Sequence, residues 1–148
     1  RRPGTENMPA IVGFAVAAEW AMRELASEAV RVATMRDRLE AGLPRDAIVF
    51  GAGAPRLPNT SNFALPGLTA ETAVIAMDLE GVAVSSGAAC SSGKVRSSRV
   101  LAAMGVAPEL AKAALRVSFG HESKERDADE VLAALNRIAA RRAQGAAA

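Results

Sequence analysis

Residues 9–41 read PAIVGFAVAAEWAMRELASEAVRVATMRDRLEA, a stretch in which only Gly13 interrupts the helix-forming residues. Apolar side chains recur in it at spacings of three and four, which places them on one face of a helix. These side chains are Ile11, Ala15, Ala18, Met22, Leu25, Ala29, Val32 and Leu39. Asn7 is a suitable N-cap, and Pro9 suits the first helical turn. The pattern therefore predicts one long amphipathic helix.

The length of this helix conflicts with the size of a compact domain. A continuous helix would extend about 50 Å at about 1.5 Å per residue, whereas a compact domain of this chain length is only about 35–40 Å across. We therefore expect the helix either to break, near Ser27, or to extend beyond the compact part and pack on something else. Gly42 and Pro44 end it in either case.

Shorter segments follow the long helix, some with the apolar spacing of helices and others with the alternation of strands. Strands are predicted at residues 47–50, 60–65, 82–84 and 114–119. Helices are predicted at residues 69–79, 98–104, from Pro108 onward, and at 125–142. Thr69 and Glu71 are start signals for the first of these helices. Because strands alternate with helices, the sequence predicts an α/β fold.

The composition excludes several classes of protein. Half of the 148 residues are apolar, so the chain can bury a core. The net charge is only +2, aromatic residues are 3% and Tyr is absent, which argues against direct nucleic-acid binding. No apolar run approaches the ~20 residues that span a bilayer, and no signal peptide is recognisable, so we expect no membrane association.

The single cysteine and the first residue carry two further expectations. One cysteine excludes an internal disulfide and a multi-cysteine metal site, and no metal ligand is predicted. A lone thiol also favours an intracellular, cytoplasmic location. Because position 1 is Arg rather than Met, we expect the chain to be processed, cut or partial.

Cys90 is the strongest nucleophile by residue type. It lies in SSGAACSSG, residues 85–93, where only small residues occur, and this composition predicts a mobile loop. Lys94, Arg96 and Arg99 follow, and nearby cations lower the pKa of a thiol and so favour the reactive thiolate. A single cysteine is also often a small buried apolar residue. Both roles stay open on these features, although the Ser and Gly neighbours argue against burial.

Three further positions have both a functional and a structural interpretation. Arg116 interrupts an otherwise apolar strand, where its guanidinium would suit a carboxylate or simply face solvent. Thr5 follows Gly4 before a helix, where a hydroxyl and backbone amides suit a phosphate or a simple helix cap. Asn59 stands where a turn enters a strand, a common place for Asn.

Taken in order, these segments resemble the cysteine desulfurases of the NifS/IscS type, in the class V aminotransferase family of fold-type I enzymes that use pyridoxal 5′-phosphate (PLP). Residues 1–13, RRPGTENMPAIVG, are similar to the family's R-x-G-T-x-N stretch. Residues 84–93, VSSGAACSSG, are similar to its cysteine loop, and residues 115–120, LRVSFG, to its substrate-arginine strand. Residues 58–62, PNTSN, also match a family segment. The resemblance covers almost the whole chain, and the ordered combination is specific.

The resemblance implies a role for each matched residue. Cys90 would attack the sulfur of PLP-bound L-cysteine, which leaves a persulfide and releases L-alanine. Arg116 would bind the substrate carboxylate, with Asn59 in the same substrate site. Thr5 would donate to the PLP phosphate of the neighbouring subunit, which implies a homodimer. The persulfide sulfur would pass to an acceptor protein for iron–sulfur cluster assembly or tRNA thiolation.

The resemblance also implies the architecture. Residues 1–41 would be a linking segment and long helix from the end of a large domain. Residues 42–148 would be the small C-terminal α/β domain, a mostly antiparallel sheet covered by helices. The family's PLP-binding lysine lies upstream of its R-x-G-T stretch, and Lys94, Lys112 and Lys124 do not match it. We therefore expect a portion of a longer enzyme that is inactive alone.

Two alternatives stay open. A related class V aminotransferase without sulfur transfer would lack the small-residue cysteine loop. A stand-alone sulfur-relay or interaction domain without PLP chemistry would cover the apolar face of the long helix within its own fold. An exposed apolar stripe on that helix, larger than the few hundred Å² usual for a monomer, would instead favour a missing domain.

Overall fold

The computed structural model describes residues 4–86 and 98–146, with side chains of the last helix described to residue 141. The elements in chain order are helix α1 (Met8–Gly42), strand β1 (Ile48–Val49), strand β2 (Thr60–Ala64), helix α2 (Ala70–Leu79), strand β3 (Ser85–Ser86), helix α3 (Arg99–Ala103), helix α4 (Pro108–Lys112), strand β4 (Ala114–Ser118) and helix α5 (Glu125–Ala146). Four antiparallel strands with helices packed on them confirm the predicted α/β fold.

Helix α1 is continuous over its whole length. The predicted break near Ser27 is wrong, because the Ser27 hydroxyl donates to the carbonyl of Glu24 at 2.9 Å and the helix continues through it. The predicted cap is confirmed, since Oδ1 of Asn7 accepts from the amide of Ala10 at 3.2 Å. The helix thus extends beyond the compact part of the chain, which is the second of the two expected outcomes.

The two ends of α1 have opposite environments. Near its C-terminal end, Val32, Met35 and Leu39 are buried in the main core. Toward its N-terminal end, large apolar side chains face solvent, with Phe14 77% and Met22 76% exposed. The division into residues 1–41 and 42–148 stays a prediction, and the C-terminal turns of α1 pack with the elements that follow them.

The sheet has the order β1-β2-β4-β3. Because directly paired residues of antiparallel strands share a face, the register assigns each side chain to one side. Phe63 of β2 pairs with Leu115 of β4, and both are buried in the main core with residues of α1, α2 and α5. Val117 lies on the same face and is 5% exposed.

Within residues 4–86 and 98–146, the opposite face of the sheet is covered only at one end. A second apolar cluster there joins residues of β2 and β4 to helices α3 and α4. Its buried members are Phe50, Ala64, Leu101, Ala111, Ala113 and Ala114. Further along the same face, Asn62 pairs with Arg116 and Thr60 pairs with Ser118. The uncovered part of this face is therefore polar, and we call it the polar sheet face.

The third strand lies later in the chain than the sequence predicts. Residues 82–84 are not a strand, and β3 is formed by Ser85–Ser86 instead. The cause is the end of α2, where Gly81 has a φ of +78° and the amide of Val82 donates to the carbonyl of Met77 at 2.9 Å. This Schellman arrangement uses Val82 to close the helix, so pairing with β4 begins only after it.

Arginines of α1 hold the loops at one end of the sheet. The Arg31 guanidinium donates to the backbone carbonyls of Gly120, His121 and Ser123, at 3.0, 3.2 and 2.5 Å. It also forms two hydrogen bonds with the Glu28 carboxylate, at 2.9 and 2.6 Å. These bonds fix the loop that follows β4 against the long helix.

Within the described residues, no helix is both long enough and apolar enough to cross a membrane.

A two-point ion pair joins the loop after β1 to the last turns of α1. Nη1 and Nη2 of Arg56 donate to the two carboxylate oxygens of Glu40 at 2.7 and 2.8 Å. The side chains are only 19% and 16% exposed. The hydrogen bond from Arg56 holds the pKa of the Glu40 carboxyl below its ordinary value, against the opposing effect of burial.

We expect Glu40→Gln to lower the free energy of unfolding by about 2 kcal/mol at neutral pH, because hydrogen bonds to charged groups contribute about 1.5–3 kcal/mol. The Glu40 pKa is lower in the folded than in the unfolded chain, so its carboxylate stabilises the fold above the unfolded pKa, near 4.5. That contribution is lost as the pH falls through the folded pKa. Urea denaturation of the wild-type and variant chains should therefore show a difference that shrinks below about pH 4.5. A difference independent of pH would contradict this account.

Candidate functional site

The polar sheet face is centred on Arg116 of β4. Burial alternates along this strand, with Leu115 and Val117 buried and Arg116 exposed. The guanidinium therefore faces away from the core, as in the solvent-facing interpretation of the sequence. Among the described residues, Arg116 forms no ion pair, and the contact found for its side chain is a long hydrogen bond from Nη2 to Oγ of Ser85 at 3.4 Å. Apart from this bond, the guanidinium's N–H donors have no partner in the described part of the chain and are available to an anion.

Two polar residues flank Arg116 across the strands. Ser85 of β3 pairs directly with Arg116 on one side, and Asn62 of β2 pairs with it on the other. Beyond them, the hydroxyls of Thr60 and Ser118 lie 3.4 Å apart, within hydrogen-bonding distance. The arrangement suits a small carboxylate-bearing ligand, because it combines one cation with neutral hydrogen-bonding groups.

Asn62 has a polar atom without a partner. Its Oδ1 is buried and accepts no hydrogen bond within the part of the chain that the structure describes. The backbone of Asn62 is fully used in the sheet, since its carbonyl accepts from the amide of Phe50 at 2.8 Å. An unsatisfied buried acceptor is uncommon in folded proteins and calls for an explanation.

Cys90 lies outside the described residues, as does the rest of the segment 87–97. Its role and the predicted mobility of that loop stay predictions. What the chain fixes is its connectivity, because Cys90 follows Ser86 by four residues and Ser86 pairs with Leu115 beside Arg116. Four residues span at most about 14 Å between Cα atoms. Three residues therefore separate Cys90 from strand β3 along the chain.

Asn59 is engaged in closing the β2–β4 pair. Its Nδ2 donates to the carbonyl of Phe119 at 3.1 Å, and its own carbonyl accepts from the amide of Phe119 at 2.8 Å. Oδ1 also accepts from the hydroxyl of Thr60 at 3.3 Å. These bonds give Asn59 a structural use at the end of the sheet, while its predicted place in the substrate site stays a prediction.

Thr5 is remote from Arg116 within one chain. It precedes α1, is exposed, and its hydroxyl has no partner among the described residues. About 36 Å of helix separates Met8 from Val32, where α1 enters the core. Thr5 and Arg116 therefore do not share a site in a single copy of the chain.

A separate cleft of about 320 Å³ lies between the middle of α1 and the ends of β2 and β4. Trp20 and His121 meet at its wall edge to face, with ring centroids 5.6 Å apart and an interplanar angle of 73°. Of the predicted residues Thr5, Asn59 and Arg116, only Asn59 lines it. No local sequence pattern indicates this cleft, because it forms between segments about 100 residues apart.

Residues 1–131 match the family model of the class-V aminotransferases, which is most of the chain. The chain belongs to the class-V aminotransferase family. Among the curated proteins that it resembles are enzymes named cysteine desulfurase. The one from Gluconacetobacter diazotrophicus is 45% identical over 135 residues, which are 89% of this chain and 34% of the relative. The cysteine desulfurase NifS of Azotobacter vinelandii is 38% identical over 135 residues, with the same two shares.

Solved structures of NifS-like proteins have the same fold as this chain. The NifS-like protein from Rickettsia africae superposes with a TM-score of 0.80 at 30% identity, and the match covers 93% of this chain and 36% of that one. Another NifS-like protein superposes with a TM-score of 0.81 at 31% identity. The chain thus spans about a third of the length of the relatives it matches.

Membership of the class-V family implies that the longer protein binds PLP. The described residues suit contact with the PLP phosphate but not the covalent attachment of PLP. Gly4 has a φ of +134° with open space where a Cβ would stand, and Thr5 beside it has a free hydroxyl. These features suit contact with a phosphate at the chain's exposed end. The described lysines do not suit the covalent attachment of PLP, because Lys112 is exposed and bound to Glu109 at 3.1 Å and Lys124 is exposed. Among the described residues, no cluster of potential metal ligands occurs.

Sequence reasoning missed Asn62 and Ser85 as neighbours of Arg116. Both residues lie in segments that the family resemblance singled out, at 58–62 and 84–93. What the sequence does not contain is the register of the antiparallel strands, which alone brings these two side chains beside Arg116.

Proposed function

We propose that the chain is the C-terminal portion of a PLP-dependent cysteine desulfurase, which removes sulfur from L-cysteine, releases L-alanine and leaves a persulfide. The observation that carries the proposal is the exposed guanidinium of Arg116, which forms no ion pair among the described residues and lies on the polar sheet face beside strand β3, the strand that precedes the Cys90 segment. Its similarity to cysteine desulfurases over 89% of its length supports the same function.

Arg116 binds the α-carboxylate of L-cysteine in this proposal. A guanidinium and a carboxylate form two parallel charge-assisted hydrogen bonds, which fix the orientation of the substrate as well as its position. No described acidic side chain competes for Arg116. The described residues around Arg116 on this face are polar, and Asn59 lies one residue before Thr60 at its edge.

Cys90 is the sulfur acceptor. Its thiolate forms an S–S bond with the substrate sulfur while the Cβ–S bond of the substrate breaks, and the carbon that loses sulfur takes a proton to become the methyl group of L-alanine. The reaction is balanced without an external oxidant, because one thiol and one cysteine give one persulfide and one alanine. PLP, when bound, supplies the electron sink that labilises the substrate.

Thr5 acts in a second copy of the chain in this proposal. Because helix α1 holds Thr5 far from Arg116 of its own copy, the hydroxyl would share a site with an Arg116 only by reaching that of a neighbouring subunit, where it would donate to the PLP phosphate. A homodimer follows from this role. The Schiff-base lysine would belong to the remainder of the longer protein.

The exposed stripe on α1 favours this proposal over a stand-alone relay domain. A domain that folds and works alone would cover large apolar side chains, yet those of the first turns of α1 are exposed. The exposed members include Met8, Ile11, Val12, Phe14, Val16, Trp20, Met22 and Leu25. We propose that the rest of the longer enzyme covers them. A class-V aminotransferase without sulfur transfer is less well supported, because the relatives named above are desulfurases.

The remaining features of the proposal concern the surroundings of the enzyme. The persulfide would pass its sulfur to an acceptor protein, either an iron–sulfur scaffold or a tRNA-thiolating enzyme. A cytoplasmic location suits a reactive thiol, because reducing compartments keep cysteines free.

The test compares the chain with the full-length protein that contains it. We expect the full-length protein, loaded with PLP, to convert L-cysteine to L-alanine with persulfide on the protein, and the 148-residue chain alone to form no alanine. Alanine is measured by chromatography, and persulfide by mass spectrometry of the intact protein after short incubation. A full-length protein that binds PLP and transaminates L-cysteine without releasing alanine would contradict the proposal.

A further inference from the structure

We propose that Asn62 is a positioning residue for Arg116, holding the guanidinium so that its free N–H groups meet the substrate carboxylate as a pair. The inference rests on the proposed function, because it deepens the role of Arg116 in binding an amino acid. It concerns a residue to which neither the sequence nor the family resemblance assigns a role.

The register places the two side chains together. Asn62 of β2 pairs directly with Arg116 of β4. Directly opposed residues of an antiparallel pair lie on the same face with Cβ atoms about 4.5–5.5 Å apart. Arg116 can therefore meet Asn62 without any change in the backbone.

The hydrogen-bonding inventory of the two residues is complementary. Oδ1 of Asn62 is buried and has no donor among the described residues. Arg116 carries five N–H donors, and in the described part of the chain their only partner is Ser85, at 3.4 Å. Among the described residues, a buried acceptor of Asn62 without a donor is thus paired with a guanidinium that has unused donors. The neighbouring pair on the same face, Thr60 and Ser118, has no such mismatch, because its hydroxyls lie within hydrogen-bonding distance of each other.

A neutral acceptor suits this task better than a charged one. An Asp in place of Asn62 would form an ion pair with Arg116 and compete with the substrate carboxylate. The amide oxygen can instead hold one N–H of the guanidinium and leave its charge for the ligand. The side chain of Arg116 loses rotational freedom before binding rather than during it, which is how pre-organisation strengthens affinity.

The experiment uses the full-length PLP-loaded protein and two unreactive ligands. L-Alanine carries the carboxylate that Arg116 is proposed to bind, and L-alanine methyl ester does not. Dissociation constants are measured by titration of the cofactor absorbance and by calorimetry. The variants are Asn62→Leu, Asn62→Asp and, as a matched control at an exposed residue of α5 away from this face, Asn136→Leu.

We expect Asn62→Leu to raise the dissociation constant of L-alanine about tenfold and to leave that of the methyl ester unchanged. Asn62→Asp should raise the dissociation constant of L-alanine more, by about a hundredfold. Asn136→Leu should change neither constant by more than about twofold. Equal weakening of both ligands by Asn62→Leu, or no weakening of L-alanine, would overturn the positioning role. Arg116→Ala distinguishes the role of Asn62 from that of Arg116. If Arg116→Ala weakens the binding of L-alanine while Asn62→Leu does not, only the role of Asn62 fails. If neither variant weakens the binding of L-alanine, the proposed function of Arg116 fails.

Discussion

Replacing Cys90 with Ser in the full-length protein should abolish persulfide formation and leave the PLP absorbance unchanged. A serine hydroxyl is not ionised near neutral pH, whereas a thiol with nearby cations is readily converted to the nucleophilic thiolate. Lys94 and Arg96 follow Cys90 in the sequence and would supply such cations. We expect the yield of persulfide to fall by at least about a thousandfold, as is usual when a nucleophile is removed.

The control for this variant is Ser91→Ala, which alters the adjacent side chain in the same segment. Persulfide is measured by the mass of the intact protein after incubation with L-cysteine, and the cofactor by its absorbance. Ser91→Ala should form persulfide at nearly the wild-type rate. Loss of the cofactor absorbance in Cys90→Ser would mean that the cysteine is structural, and a wild-type yield of persulfide on another residue would remove it from the reaction.

The helices of this chain could be predicted well from the sequence, because each has local start and stop signals. Asn7, Thr69 and Ser98 cap α1, α2 and α3 through their side-chain oxygens, as residues of these types do. Whether α1 is continuous or breaks near Ser27 could not be predicted from the sequence. It depends on what the exposed end of the helix contacts, and a local pattern of apolar residues contains no such information.

The short strands were harder to predict, because they depend on partners that are distant in the sequence. Strand β3 comprises two serines, which have no strong preference for a strand, and it exists because Ser85 and Ser86 pair with β4. The more strand-like residues 82–84 precede it without pairing. Val82 and Val84 are half-buried and pack against the main core, so their apolar character reflects burial rather than membership of the sheet.

The candidate site shows the same division between local and distant information. The exposure of Arg116 follows from the alternation along β4, which a sequence can display. Its neighbours Asn62 and Ser85 follow from the register, which only the folded sheet supplies. The separation of Thr5 from Arg116 is likewise a consequence of an unbroken α1, and the second subunit stays a prediction.

Replacing Arg116 with Ala in the full-length protein should raise KM for L-cysteine about a hundredfold. Two charge-assisted hydrogen bonds to the carboxylate would be lost, and their combined contribution of about 3 kcal/mol corresponds to about two powers of ten in affinity. The free energy of unfolding should change little, because Arg116 is exposed and forms no ion pair among the described residues. The variant is therefore expected to fold and to bind PLP as the wild type does.

Arg116→Lys distinguishes the geometry of the guanidinium from its charge. Lysine keeps the positive charge but presents a single ammonium group, which cannot form the parallel pair of bonds that a planar fork forms with a carboxylate. We expect its KM to lie between those of the wild type and Arg116→Ala, about tenfold above the wild type. Steady-state kinetics with L-cysteine, and titration with L-alanine as an unreactive ligand, measure both effects. If KM and the affinity for L-alanine stay at wild-type values in Arg116→Ala, the carboxylate is bound elsewhere, and the polar sheet face loses its proposed part in substrate recognition.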